Sequence, residues 1–224
     1  MKKVFIIGDT GLVGRACIKL FNKSNYAVYG FSRREVQACQ SENYTHYAMN
    51  VLSHSQEFFE KFTAIKPDII ICTAGNHEKE TTTENSQALI DLHLSFIPSL
   101  VNTAIKEKLS VSIVCCSSWM AYIPDRKYPV YTGVKAALNQ YVYAARIILP
   151  SQLLLKAVVL GPIAAKPNKW FEKSAKDVAE AIVRLAEKKS SGVYFYPKYG
   201  KLLQLSSGLL TNSIEKLIFR KRRL

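Results

Sequence analysis

Acidic residues are scarce in this chain: 17 Asp and Glu stand against 31 Lys and Arg, a net charge of +14 with pI ≈ 9.6. That balance suggests an anionic counterpart: a phosphorylated cofactor, an acyl carrier, a nucleotide-linked substrate or a membrane lipid. A solvated basic surface is the plainer alternative, and nucleic acid is not expected, because Phe58, Phe59 and Phe62 read as core rather than as a stacking platform. Cysteine is sparse and unpaired in pattern. Cys17, Cys39, Cys72, Cys115 and Cys116 form no CxxC motif and leave an odd thiol, which fits a reducing cytoplasm better than a disulfide framework. The four histidines, His46, His54, His77 and His93, lack ligand spacing, so no metal site is expected. Long apolar runs are missing too. The first, Val4 to Ile7, is too short for a signal peptide, and none approaches the roughly 18 residues of a membrane span. Without repeats or low-complexity linkers, 224 residues at 48% hydrophobic composition fit one core and a single domain, 1–224.

Glycine is limited to ten residues, yet three of them fall at Gly8, Gly11 and Gly14, directly after the apolar run. Val13, Cys17, Leu20 and Phe21 then recur at helical spacing. Strand, glycine turn and helix in that order suit a dinucleotide. Glycines let the backbone approach a pyrophosphate, and a helix N-terminus offers free N–H groups and a positive dipole end. The turn Gly8, Thr10, Gly11, Leu12, Val13 and Gly14 is therefore the first candidate cofactor segment. Residues 26–32 read as a second strand, followed by Ser32, Arg33 and Arg34 where an NAD-selective protein commonly places an acid. Two guanidiniums and no carboxylate fit a 2′-phosphate, so NADP(H) is the expected cofactor; a solvated basic turn is the alternative.

Further along, residues 44–51 suit a third strand, and Phe58, Phe59, Phe62 and Ile65 give the next helix an apolar stripe. Residues 68–73 are nearly continuously apolar, as in a strand buried on both faces of a parallel sheet, and Ala74-Gly75 ends them. A helix over 84–108 contains Pro98, which predicts a freed Leu94 carbonyl and a kink beside His93, where a water would join a proton relay. Residues 110–117 form the next strand with Ser118 at its C-terminal end, and Pro129 opens a helix reaching Leu149. A strand over 153–160 ends at Gly161, Pro162 and Ile163. Residues 164–173 have no clear period and are a candidate substrate lid carrying Trp170 and Phe171. Ser174 to Asp177 resembles a capping box for a helix to Lys188, and residues 192–196 close as a last strand. Beyond Pro197 lies a basic extension, 198–224. Its Leu210, Ile214, Leu217 and Ile218 share one helical face, suited to an anionic membrane, a partner or the domain itself.

Tyr131 and Lys135 are four residues apart and share a helix face, which puts an ammonium beside a phenol. A neighbouring cation favours the phenolate, lowering the phenol from about 10, and Ser118 supplies a hydroxyl for a substrate oxygen. Spacing alone proves little, since Tyr194 and Lys198 repeat it. That second pair brackets Pro197 in a β-like run, whereas Tyr131 and Lys135 follow the strand carrying Ser118.

With Gly8-x-x-Gly11-x-x-Gly14, Arg33, Ala74-Gly75, Ser118, Tyr131-x-x-x-Lys135 and Gly161-Pro162 in this order, the chain resembles the short-chain dehydrogenase/reductases over nearly its whole length. The resemblance implies an α/β fold, one doubly wound Rossmann sheet of about seven parallel strands with helices on both faces. It also implies hydride transfer between a nicotinamide and a small carbonyl or alcohol, with the substrate anionic or carrier-linked in one variant of this reading. By that likeness Tyr131 is the general acid, Ser118 holds the carbonyl oxygen, and Lys135 lowers the Tyr131 pKa and holds the nicotinamide ribose. Asn50 and Val51 match the adenine-contacting pair, with Asn50 in place of an aspartate. A homo-oligomer built through the long helices is implied as well. The glycine spacing is similar to that of extended members, which include sugar-nucleotide epimerases and dehydratases. That keeps open an epimerase or dehydratase, and a nonenzymic cofactor-sensing or docking module is the third reading. His93 stands where the family's helix often carries a relay asparagine.

Overall fold

Alternation within the first apolar run sets the layering of the protein. In the computed structural model, which describes residues 1–35, 43–75, 83–123, 125, 127–164, 167 and 171–206, β1 spans Lys2–Ile7. Its Phe5 and Ile7 enter one buried cluster and its Val4 and Ile6 enter the other, because successive side chains of a strand point to opposite faces. Both faces must then be covered. α1 (Leu12–Asn22) and α6 (Ala175–Glu187) cover one through Cys17, Phe21, Val178, Ala179 and Ile182. α2 (Ser55–Ile65), α4 (Ile97–Lys106) and α5 (Pro129–Ala145) cover the other through Phe58, Phe62, Leu100, Leu138 and Val142. Burying one such Phe or Leu side chain contributes about 1.5–3 kcal/mol.

The remaining strands are β2 (Tyr26–Ser32), β3 (Tyr44–Ala48), β4 (Ile69–Cys72), β5 (Val111–Ser118), β6 (Leu153–Leu160) and β9 (Gly192–Tyr196). With β1 they form a seven-stranded sheet in the order β3-β2-β1-β4-β5-β6-β9, every pairing parallel. The order reverses at β1 and β4. Their C-terminal ends carry the glycine turn and Ala74-Gly75, the place where a crevice opens in a doubly wound sheet. Phe58 and Phe62 are fully buried, Phe58 5.0 Å from Phe31 and 5.1 Å from Phe96 between ring centroids, as expected of core residues.

Four local features differ from the expectations. The third strand stops at Ala48 rather than Val51, because the Asn50 side chain accepts the Leu52 N–H at 3.2 Å and turns the chain. The long helix is not simply kinked at Pro98. Between α3 (Thr83–Ile90) and α4 lies a π-helical segment, Asp91–Phe96, in which the Ile97 N–H donates to Leu92 O, and Pro98 occupies the first turn of α4. The run Thr83–Lys106 is also long and apolar enough by composition to cross a membrane, but its Leu92, Phe96, Ile97, Leu100 and Val101 are packed into the core. The helix from Pro129 ends at Ala145 instead of Leu149.

Two short strands, β7 (Ile163–Ala164) and β8 (Lys173–Ser174), pair in parallel and tie together the ends of the candidate lid. Trp170 lies outside the described residues, as do Cys39, His77 and residues 207–224 with the amphipathic stretch. The chain ends its described part in α7 (Lys201–Ser206). Ser174 and Asp177 form the expected capping box of α6. The apolar run of β6 conceals a fully buried lysine: Lys156 Nζ donates to Ser112 Oγ at 2.8 Å and to Ala186 O at 2.9 Å, closing the last turn of α6.

Candidate active site

The glycine turn is shaped for close backbone approach. Gly8 has φ +90, and a Cβ there would meet Ala74 N at 2.7 Å. A Cβ on Gly14 would strike Gly8 O, so the start of α1 lies directly on the turn. Gly11 caps α1 without a side-chain hydrogen bond, which leaves the first-turn N–H groups of Leu12, Val13 and Gly14 uncapped by a side chain. Ala74 N donates to Ile7 O at 3.1 Å, and Gly75, at φ +104, faces His93: a Cβ would stand 2.7 Å from His93 Nε2. Backbone bared by three glycines over an uncapped helix start fits a pyrophosphate.

At the end of β2, Thr10 Oγ1 donates to Ser32 Oγ at 3.1 Å and Met49 N donates to Ser32 O at 2.8 Å. Arg33 and Arg34 are exposed beyond it. Val51 is buried in the core beside Phe31 and Phe58, so its side chain packs rather than lines a surface. Composition and motif gave no notice of Asp9. This fully buried carboxylate sits inside the glycine turn and accepts at Oδ2 from Tyr44 OH at 2.5 Å, with His46 Nδ1 2.6 Å from the same oxygen. The other ring nitrogen, His46 Nε2, lies 2.9 Å from Arg34 O. The available signal was an aspartate between two glycines of a candidate phosphate turn, where a negative charge is out of place.

Ser118, Tyr131 and Lys135 converge. Ser118 is the last residue of β5, and its Oγ accepts the Met120 N–H at 3.2 Å. Tyr131 and Lys135 lie on the buried face of α5, and Tyr131 shares a side-chain hydrogen bond with Ser118. Lys135 Nζ stands 5.4 Å from the Tyr131 ring centroid. It donates to Cys116 O at 2.8 Å and lies 2.8 Å from His93 Nε2. Electrostatics correct one expectation here. Burial pushes the Tyr131 phenol above its usual 10.0, opposed by the Ser118 hydrogen bond, and no lowering by Lys135 offsets it. Burial likewise lowers Lys135 from 10.5, and burial together with the Lys135 charge holds His93 well below 6.5.

Gly161 N donates to Tyr196 O at 3.1 Å, Pro162 O accepts from Lys173 N at 3.1 Å, and Ile163 enters β7. Trp119, directly after Ser118, packs against two glycines. A Cβ on Gly161 would come within 2.9 Å of its ring, and one on Gly200 within 2.5 Å of its Nε1. The cysteines of the described core, Cys17, Cys72, Cys115 and Cys116, are free and buried, with thiols pushed up by burial and hence inert at neutral pH.

Residues 4–146 match the family described as NAD dependent epimerase/dehydratase. No curated protein matches the sequence. Among solved structures, a short chain dehydrogenase family protein from Francisella tularensis subsp. tularensis SCHU S4 is similar with a TM-score of 0.76 at 15% identity, over 90% of this chain and 99% of that one. 4-Hydroxyisoleucine dehydrogenase complexed with NADH gives 0.73 at 17% identity, over 87% and 96%. A variant of ElxO with NADPH bound gives 0.73 at 20% identity, over 87% and 96%. At these identities the likeness is one of fold, the Rossmann sheet of short-chain dehydrogenases. The sequence match carries the assignment: the chain belongs to the NAD dependent epimerase/dehydratase family, within the extended short-chain dehydrogenase/reductases.

Proposed function

We propose that this chain is an NADP(H)-dependent oxidoreductase that interconverts a small carbonyl compound and its alcohol. The observation that carries this reading is the meeting of Ser118, Tyr131 and Lys135 at the C-terminal edge of β5, with only β4 between that strand and β1, which leads into the glycine turn. Gly8, Gly11 and Gly14 would hold the pyrophosphate, Arg33 and Arg34 a 2′-phosphate, and Lys135 the nicotinamide ribose. A bound nicotinamide supplies or accepts the hydride. The rest is done by the chain's own groups. Ser118 Oγ holds the carbonyl oxygen, and Tyr131, kept protonated by burial, donates its phenol proton to that oxygen in the reducing direction. As an ammonium Lys135 has three N–H bonds, two of them directed at Cys116 O and His93 Nε2, so the third is the one offered to a ribose hydroxyl.

The family match favours a second reading, epimerisation or dehydration of a nucleotide-linked sugar. One set of measurements separates the two. NADPH loss is followed with a panel of aldehydes and ketones, and nucleotide-sugar turnover by product analysis without added cofactor. The proposal expects NADPH oxidation that Tyr131→Phe reduces by roughly 10²–10⁴-fold with NADPH binding retained. Turnover unchanged in Tyr131→Phe sinks it, and sugar conversion with tightly retained cofactor and no net consumption transfers the assignment to the second reading.

A further inference from the structure

Asp9, Tyr44 and His46 form a hydrogen-bonded cluster beside the turn that carries Arg33 and Arg34. Parallel pairing sets Gly30 opposite His46, and Gly30 has no side chain. The Asp9 carboxylate fills the place a Cβ would occupy and so reaches His46 across β2. Asp9 Oδ1 is buried without a hydrogen-bond partner among the described residues. The charge of this carboxylate is therefore answered at Oδ2 alone, by Tyr44 and His46.

The hydrogen-bond arithmetic fixes the proton count. Arg34 O can only accept, so His46 Nε2 must donate to it. Tyr44 OH donates to Asp9 Oδ2, so the 2.6 Å contact between Oδ2 and His46 Nδ1 also needs a proton. Whether that proton rests on nitrogen or on oxygen, histidine and carboxylate together carry no net charge. Losing it leaves a single ring proton for two acceptors, and either Asp9 or the Arg34 carbonyl is released. Among the described residues, the groups facing His46 are Asp9 from the glycine turn, Tyr44 from β3, uncharged Gly30 from β2 and the Arg34 main chain, with Gly14 of α1 packed on the Asp9 backbone. Arg33, Arg34 and Glu35 are exposed on the adjoining turn. The His46 side chain is only 12% exposed.

We infer that His46 is a positioning residue for cofactor selection: bridging Asp9 and the Arg34 carbonyl, it fixes the arginine turn, and discrimination for a 2′-phosphorylated dinucleotide depends on the proton it shares with Asp9. The inference rests on the reading of Arg33 and Arg34 as the 2′-phosphate contact. It adds that the selectivity turn is tied to the phosphate turn by a titratable bridge, and that a carboxylate lying under a pyrophosphate is neutralised while the bridge is intact.

Fluorescence titration of NADPH and NADH on the full chain, from about pH 6 to about pH 9, tests this. The 2′-phosphate itself ionises near pH 6, so each variant's ratio of NADPH to NADH affinity is compared with that of the others at the same pH. In the unmodified chain the ratio falls about tenfold or more toward high pH, relative to Asp9→Asn. Asp9→Asn keeps the bridge without its extra proton, since the amide donates to a neutral His46 that still donates to Arg34; its ratio stays high without that fall. His46→Gln has a low ratio throughout. Thermal melts identify any variant that does not fold, and Asp9→Asn, which preserves volume, decides the matter alone if His46→Gln is lost. Identical ratios and pH courses in all three chains overturn the inference, provided Arg33→Ala with Arg34→Ala lowers the ratio. If that double variant leaves the ratio unchanged, the 2′-phosphate reading fails first and the inference goes with it.

Discussion

Lys135 Nζ lies 2.8 Å from His93 Nε2, joining the middle of α5 to the π-helical segment across a fully buried interface. Histidine accepts this bond, so its proton is on Nδ1, which is buried without a partner among the described residues. Asparagine at this place would offer a shorter acceptor. The side-chain-free Gly75 makes room for the larger ring.

Replacing His93 by Leu removes one partner of a buried ammonium and is expected to destabilise the protein by about 1–3 kcal/mol in urea denaturation, with His93→Asn less affected. Acid should expose the same residue. The folded pKa of His93 is lowered, so below about 6.5 the unfolded chain binds the extra proton and stability falls as pH falls. That component is absent from His93→Asn. Equal stability and equal acid sensitivity in all three chains would show that the contact is unimportant.

In the proposed reaction the proton of Tyr131 makes the rate in each direction depend on pH. Alcohol oxidation needs the phenolate, and burial raises this phenol above 10.0, so the oxidative rate should still be climbing at pH 10.0 while the reductive rate holds across neutrality. Ser118→Ala removes the one hydrogen bond that lowers Tyr131. Its oxidative profile should move to higher pH as well as drop in height. A drop without movement would mean that Ser118 acts on the substrate alone.

Lys156 predicts an alkaline signature of stability. Burial lowers it from 10.5 to about 8, with Lys188 contributing in the same direction. Between those values the unfolded chain holds a proton that the folded chain has released, so stability should rise with pH across this window. Lys156→Met should flatten the rise. Ser112 Oγ still donates to Ala186 O at 2.7 Å, so the variant is expected to fall within about 1 kcal/mol of the parent at neutral pH. A slope that survives in Lys156→Met would assign it to another group.

Strands were legible wherever burial on both faces left a continuous apolar run, as at Ile69–Cys72, and the glycine and capping signals marked the element ends. The π segment was not, since a period of 3.6 residues does not reveal where one hydrogen bond widens to five. The spacing of Tyr131 and Lys135 placed both on one face correctly, yet the ammonium turned toward His93 and Cys116, contacts set by packing between distant elements. Asp9 and His46 are 37 residues apart in the chain and meet only through the register of β2 with β3 and the missing side chain of Gly30.

Trp119, held between Gly161 and Gly200 with Tyr199 at 5.8 Å, is one of two tryptophans in the chain. Its indole therefore doubles as an optical gauge of the site. Substituting Trp170 by Phe leaves a single tryptophan, next to Ser118, whose emission reports when the candidate site is filled, before any turnover is measured.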